Sequence, residues 1–523
     1  MLAQRIRPCS RPWLFTANRT LRATGRRKSS SQATPPASLP SPAFGSPLTS
    51  LKRDLDSLAP RIDIHASQIR VIESPADFYS TLKTKISSAR RRIYLSTLYI
   101  GTSEHELIKT IRDALNHNDQ LHVSILTDAL RGTRESPRTS CASLLAPLVR
   151  DYPDRVEVRM FHTPNLTGIR KAVIPKRINE GWGLQHIKLY GFDDEVILSG
   201  ANLSNDYFTN RQDRYQLFHS KEVADYFAKI HAAVCSVSLN LEYSSRPEGH
   251  KLSWSESSTA RNPLQAPLHH KAATTSLLRP LLSPATTAPA PSDANTFIYP
   301  VLVHPPTINT ELPAIESLLS ASRRIKQYTF TAGYFNPHPM ITRTLLNLSS
   351  RPSSIPGTVL TASPYANGFF GSKGISGMLP AAYSHLSLSF LRAARGKNIE
   401  LREWQRGVVG QANGWTYHAK GLWATLPRSN EEDAKSQSEE AGPNVTLIGS
   451  SNYTARSYGL DLEVGAMVVT TDEGLQQKWK EEEENLAQYA RPVTEEELGS
   501  KDRRASWKVR MAMWIVKRVG GAL

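Results

Sequence analysis

Residues 185–193 read QHIKLYGFD and residues 417–425 read YHAKGLWAT. In each, a histidine and a lysine stand two apart, so an extended chain sets His186 with Lys188, and His418 with Lys420, on one face of a strand. The two histidines are 232 residues apart, and the same offset separates SARRRI (88–93) from SASRRI (320–325). A spacing shared over that length marks an internal repeat. Each hexapeptide closes an amphipathic helical stretch and leads into a β-rich run, 93–100 and 325–335, which predicts a helix feeding a core strand. Further on, SGANLSN supplies Asn202 and GSSNYT supplies Asn452; eleven residues beyond each asparagine stands an acid, Asp213 and Glu463. The asparagines are 250 apart, so the second copy carries extra residues, which fall in an acidic, serine-rich surface loop around 427–443.

The repeat divides the chain at about 60–243 and 294–490. The expected fold class is α/β: two pseudo-symmetric domains, each a mixed β-sheet flanked by helices, with the active site at their interface. Residues 244–293 are rich in Ser, Pro, Ala and Thr with little periodicity and read as a linker, with His269 and His270 solvated in it. Glu481 to Glu484 read as the exposed face of a late helix. In the basic tail, 491–523, Trp507, Met511 and Trp514 fall within about 60° on a helical wheel, among Arg503, Arg504, Lys508, Arg510, Lys517 and Arg518. That is the pattern of an interfacial anchor, with packing on the second domain as the competing reading.

The chain has 523 residues and a formal charge of +17. Residues 1–53 hold ten Lys or Arg and no acid, leaving +7 for the rest. Scattered Arg and Ser without a long apolar core is the composition of a mitochondrial transit peptide, followed from 34 to 50 by a proline-rich unstructured spacer. The mild charge of the remainder argues against nucleic acid, which asks for a continuous basic stripe. Cys9, Cys141 and Cys235 make neither a disulfide framework nor a zinc site. No run approaches 18 consecutive apolar residues, so membrane contact is expected from the surface.

Two His/Lys/Asn sets facing each other suit a phosphodiester. Lys188, Lys420, Asn202 and Asn452 would neutralise its non-bridging oxygens, one imidazole would attack phosphorus, and the other would protonate the leaving oxygen before the roles reverse. Two lysines supply the charge, so no metal or cofactor is demanded, though a divalent cation could stimulate.

His186, Lys188 and Asp193 form H-x-K-x4-D, and His418 with Lys420 gives a second copy in which Thr425 replaces the acid. The chain thereby resembles the phospholipase D superfamily over about residues 60–490. The resemblance implies catalysis by His, Lys and Asn, with Asp213 and Glu463 holding the imidazoles. The stretches YHAKGLW and GSSNYTARSYGLDLE are similar to the mitochondrial branch that uses CDP-diacylglycerol and glycerol 3-phosphate. That branch implies an anionic membrane surface as partner, a place on the matrix side of the inner mitochondrial membrane, and no nucleic acid. A nucleic-acid phosphodiesterase of the same superfamily and a non-catalytic lipid-binding scaffold are the alternatives. Weaker candidates for substrate contact are Ser96, Thr97, Tyr99, Gly101 and Thr102 after the first core strand, and Ser372 with Lys373 in GSKG (371–374), which lacks the full phosphate-loop spacing.

Overall fold

Ser74 caps a helix, Pro75–Ser88, that buries Phe78, Leu82 and Ile86 at helical spacing. The chain turns at Ala89 and enters the strand Arg92–Ser96, whose Ile93, Tyr94 and Leu95 are buried. In the second half the helix Glu311–Leu318 precedes the strand Gln327–Ala332. That strand starts 235 residues after its counterpart, so the matching hexapeptides run three residues out of step with the strands they announce. The structure, a computed structural model, describes residues 46–176, 178–284, 293–320, 325–350, 355–427 and 442–518. The expected transit segment and most of the acidic loop at 427–443 lie outside the described residues.

Two mixed sheets follow from the repeat. The first runs in the order 250–253, 239–243, 156–161, 122–128, 92–96, 189–192, 195–199, 215–218, 69–72. The second runs 62–64, 296–304, 463–470, 445–449, 420–425, 327–332, 357–362, 399–404, 490–492. In each, three consecutive strands are parallel (92–96, 122–128 and 156–161; 327–332, 357–362 and 399–404) and the neighbours on either side are antiparallel. The parallel pairs are joined through crossover helices, His105–His117 and Cys141–Asp151 in the first half, Pro339–Leu348 and Leu379–Ala393 in the second.

The halves are not separable domains; residues 45–523 form one compact unit. One apolar cluster carries Ile187, Leu198 and Phe227 of the first half together with Trp423, Ile448 and Trp479 of the second. Several expectations need correction here. Residues 47–50 are not spacer: Ser46 caps the helix Pro47–Leu58, whose Leu48, Leu51 and Leu55 pack against Tyr299, Val301 and Val303. The strand Ile62–Ile64 pairs with Thr296–Ile298, so the first strand among the described residues completes the second sheet. The supposed linker is built into the fold. His250–Ser253 adds a strand beside Leu239–Tyr243, and the helix Pro267–Leu278 buries His270, Thr274 and Leu278. Its inner face is mostly polar, so no apolar stripe betrays it in the sequence; His270 is fully buried and its Nε2 donates to the Val237 carbonyl at 2.8 Å. In the tail, Arg503 is an ion-pair partner of Glu403 at 2.6 Å and not part of a free basic rim.

The acidic run 481–484 is likewise only partly a solvated face. Glu482, on the helix Glu473–Ala487, is buried and takes a two-pronged bond from Arg214 of the first half, at 2.9 and 2.8 Å. The Arg214 guanidinium also bonds the Leu447 carbonyl and Thr446 Oγ1 and lies 3.8 Å from the Trp423 ring centre. Gly421 makes room for it, since a Cβ there would lie 1.9 Å from Arg214 Nη1. Removing one member of such a pair leaves the other charge buried without a partner. Glu482→Ala should therefore cost about 3–5 kcal/mol of stability, measured by denaturant unfolding, whereas Glu481→Ala on the exposed face should cost almost nothing.

Candidate active site

The His-x-Lys segments enter the strands Leu189–Phe192 and Lys420–Thr425, each antiparallel to the central strand of its own sheet. Just before those strands, each segment pairs with backbone of the opposite half. Leu462 N–H donates to the Leu184 carbonyl at 2.8 Å and His186 N–H to the Leu462 carbonyl at 2.9 Å. In the mirrored place, Thr416–Tyr417 runs parallel to Arg211–Gln212, and His418 N–H donates to the Gln212 carbonyl at 2.8 Å.

This pairing crosses the acids over. His186 Nδ1 donates to Glu463 of the second half, 3.0 Å from both carboxylate oxygens. His418 Nδ1 donates to Asp213 of the first half at 2.6 Å. Such a bond fixes the tautomer with the proton on Nδ1 and leaves Nε2 as the nucleophilic or basic nitrogen. Lys188 Nζ donates to the His186 carbonyl at 2.7 Å. Lys420 Nζ lies 2.7 Å from His418 Nδ1 and donates to the His418 carbonyl at 3.1 Å and to Asp213 at 3.4 Å. Gly200, in SGAN, is where a Cβ would come within 2.6 Å of both Asp213 Oδ1 and Lys420 Nζ. The close ion cluster therefore requires glycine there.

Burial governs the protonation states. It drives both imidazoles well below their usual range, helped by the neighbouring lysines, so His186 and His418 are neutral at pH 7. Burial also pulls the ammonium of Lys188 well down, and that of Lys420 in the same direction. A phosphodiester anion between them would reverse this. The acids differ. Burial pushes Glu463 up to about 7, while for Asp213 the same burial is outweighed by Lys420 and His418, which hold it below the ordinary carboxylate range.

Asn202 follows the strand Glu195–Ser199 and its Nδ2 donates to the Tyr207 hydroxyl at 3.2 Å. Asn452, partly buried, holds the equivalent place in the second half, its backbone N–H bonded to Ser457 Oγ at 3.3 Å. Asp193 does not belong to the site. It lies at the far end of the strand from Lys188, at a positive φ of 50°, and accepts the backbone N–H groups of Arg90, Arg91 and Arg92. Its role is to tie the turn at 193–194 to the start of the first core strand, which is why Thr425 can stand in the second copy without loss of the His and Lys.

The weaker candidates divide. Ser96 bonds the buried His231 at 2.8 Å and Thr97 is fully buried, its hydroxyl 3.1 Å from the Tyr99 carbonyl; both serve the core. Tyr99, Gly101 and Thr102 line a cleft of about 240 Å³ with Arg131, Ser204 and Asp206. Ser372 and Lys373 sit in a partly to fully exposed turn, and no contact among the described residues brings them to the histidines.

Sequence reasoning missed the tyrosines. Tyr207 and Tyr334 both set their rings edge-on to His418, at 5.1 and 5.3 Å between centres, and Tyr334 stacks on Tyr383. It also missed Asp461 and Arg456, which pair at 3.1 Å beside His186. The signal for Tyr207, Arg456 and Asp461 was present as DYFTNRQD and ARSYGLDLE, the stretches joining each asparagine to its acid.

Fold and site together define a phospholipase D-type transferase with paired His/Lys sets. A family model described as "Cardiolipin synthase, PLD-like domain" matches residues 82–234. A CDP-diacylglycerol–glycerol-3-phosphate 3-phosphatidyltransferase of Saccharomyces pastorianus is 44% identical over 92% of this chain and 94% of its own length. The mitochondrial enzyme of that name from Gallus gallus is 36% identical over 82% of this chain and 79% of its own. A phosphatidylserine synthase crystal structure from Haemophilus influenzae superposes with a TM-score of 0.69 at 20% identity, covering 90% of this chain and 97% of that one, and so shares the fold. The chain belongs to the CDP-diacylglycerol–glycerol-3-phosphate 3-phosphatidyltransferase family.

Because the acids cross over, Asp213→Asn should disable His418, and Glu463→Gln should disable His186, although each acid lies in the other half. Each should lower turnover by roughly 10²–10⁴ through the wrong tautomer. Asp213→Asn added to His418→Ala should cost nothing more than His418→Ala alone.

Proposed function

We propose that this protein transfers the phosphatidyl group of CDP-diacylglycerol to sn-glycerol 3-phosphate, yielding phosphatidylglycerophosphate and CMP, an early step toward phosphatidylglycerol and cardiolipin. The observation that carries this is the crossed pair of neutral imidazoles, in a chain 34–44% identical over most of its length to enzymes of that name. His186 Nε2 attacks the phosphorus bearing diacylglycerol, and CMP leaves. The resulting phosphatidyl-His186 is then taken up by the acceptor hydroxyl with His418 acting on the proton. Lys188, Lys420, Asn202 and Asn452 surround the non-bridging oxygens as charge builds. These groups supply the charge stabilisation, so the reading needs no resident metal. Purified protein given CDP-diacylglycerol liposomes and labelled glycerol 3-phosphate should form phosphatidylglycerophosphate and CMP. His186→Ala and His418→Ala should each lose well over a hundredfold, and quenched lipid should be found on His186. Release of phosphatidic acid alone would make the protein a hydrolase.

The same reading places it on the matrix side of the inner mitochondrial membrane, bound peripherally. Several relatives are named as mitochondrial, and among the described residues no helix is long and apolar enough to cross a membrane. In the helix Trp507–Arg518, Val509 and Met513 pack with Ala382 and Ala505, which satisfies the domain-packing reading for one face. The other face exposes Trp507 at 61%, Met511 at 48% and Trp514 at 58%. The short helix Gly168–Val173, leading toward the His186 segment, exposes Ile169 and Val173 beside Arg170 and Lys171. Such side chains suit an anionic interface. Replacing Trp507, Met511 and Trp514 with Ser should weaken binding to cardiolipin-containing liposomes, more so in added salt, while turnover of a soluble short-chain CDP-diacylglycerol stays unchanged. Normal binding with a lower unfolding temperature would assign those side chains to packing.

A further inference from the structure

Each imidazole meets an acid of the opposite half through Nδ1, where His418 has Lys420 Nζ at 2.7 Å as well, and the two differ again at Nε2. The hydroxyl of Tyr207, a buried residue on the helix Asn205–Thr209, lies 3.2 Å from His418 Nε2 and accepts from Asn202 Nδ2 at 3.2 Å. With the Nδ1 proton directed at Asp213, His418 Nε2 carries the lone pair, so Tyr207 donates to it. The tyrosine ring is fixed by the Arg211 guanidinium, 4.7 Å from its centre, which is anchored on Thr416 Oγ1 at 2.9 Å and Asp206 at 3.1 Å. The offset of 250 that relates Asn202 to Asn452 and Asp213 to Glu463 relates Tyr207 to Ser457. Ser457 Oγ is engaged with Thr454 and the Asn452 backbone. Among the described residues, no protein group bonds His186 Nε2. Among the described residues a hydroxyl on the imidazole Nε2 is thus found on the His418 side alone, with Lys420 Nζ 3.5 Å from the same nitrogen.

We propose that Tyr207 is a catalytic proton relay, passing the proton of the acceptor hydroxyl to His418 Nε2 in the second half-reaction. This rests on the reading that the acceptor is an alcohol. The two half-reactions make unequal demands. CMP leaves as a phosphate monoester, whose second pKa is about 6, so its departure needs no proton. The acceptor alcohol holds its proton about as tightly as water does, so its attack needs a base. A phenol oxygen has one hydrogen and two lone pairs. The hydrogen goes to His418, one lone pair takes Asn202, and the second remains to accept from the substrate hydroxyl. As the acceptor oxygen bonds to phosphorus, its proton moves to the Tyr207 oxygen and the Tyr207 proton moves to His418 Nε2. The bond between phosphorus and His186 Nε2 breaks, and its electron pair returns to that nitrogen. The imidazolium of His418, held by Asp213, then releases its proton to water. Burial, with Tyr99, Tyr334 and Asp213 nearby and opposed by Arg211, keeps the Tyr207 hydroxyl protonated between turnovers.

The test separates the half-reactions in full-length protein. Exchange of labelled CMP into CDP-diacylglycerol reports formation of phosphatidyl-His186, and transfer to glycerol 3-phosphate reports both steps. Tyr207→Phe should keep CMP exchange within about threefold of wild type and lose transfer at least a hundredfold; retained exchange also shows that the variant is folded. Transfer unchanged in Tyr207→Phe, or exchange and transfer lost together in a variant that still unfolds cooperatively, overturns the relay. If the variant does not fold, the wild type decides. Transfer, but not exchange, should be slower in heavy water, with a curved dependence on deuterium fraction from two protons in flight, and a linear or absent dependence overturns the relay. Wild-type protein that neither exchanges CMP nor transfers lipid would instead refute the phosphatidyltransferase reading itself.

Discussion

Two short stretches of backbone pairing between the halves set everything else at the centre of this molecule. Gln185 bridges Leu462, and Arg211–Gln212 runs beside Thr416–Tyr417, both in parallel. Each histidine is the residue after one side of a bridge, and each acid is the residue after the other. Parallel register therefore sets His186 abreast of Glu463 and His418 abreast of Asp213 before any side chain has chosen a partner. Neither half holds a competent imidazole by itself. The crossed arrangement is a property of the main chain, which is more rigid than any pair of rotamers.

Around that seam lies a concentration of charge that water would normally solvate. Lys188, Lys420, Asp213 and Glu463 are each at most 2% exposed. Such groups are tolerated in the interior because each acid feels a lysine as well as an imidazole. The Arg214–Glu482 pair a few residues away repeats the solution for purely structural ends, again with one partner from each half. Burial also suits the site to its chemistry. The imidazoles are kept neutral and nucleophilic, and an arriving phosphate anion offsets the burial that pulls the lysine ammonium groups down.

Much of this was legible in the sequence because chemistry and repetition coincide there. Paired His-x-Lys segments, asparagines and acids at matched offsets specified the α/β halves and eight of the nine catalytic candidates, of which the histidines and their acids meet at the seam between the halves. The ninth, Asp193, shared the motif for a conformational reason that spacing alone does not distinguish from a chemical one. The helix 267–278 escaped because it turns polar side chains inward. Glu482 escaped because a buried member of an acidic run has the same composition as its solvated neighbours. Tyr207 escaped because an aromatic residue in a short helix reads as core until its hydroxyl is seen against an imidazole nitrogen.

The strand Ile62–Ile64 and the helix before it, near the start of the described chain, belong to the second sheet. Their partners lie more than 230 residues further on, at Thr296–Ile298 and Tyr299–Val303. As a polypeptide is synthesised or threaded through a membrane amino end first, these residues emerge early and wait longest. Leu48, Leu51 and Leu55 stay uncovered until residues 299–303 have followed them. The contact order of that closure is high, which makes it slow. A chain stalled at its midpoint therefore presents an apolar helix and an unpaired strand edge, a state suited to capture by a chaperone or by a second chain at the same stage.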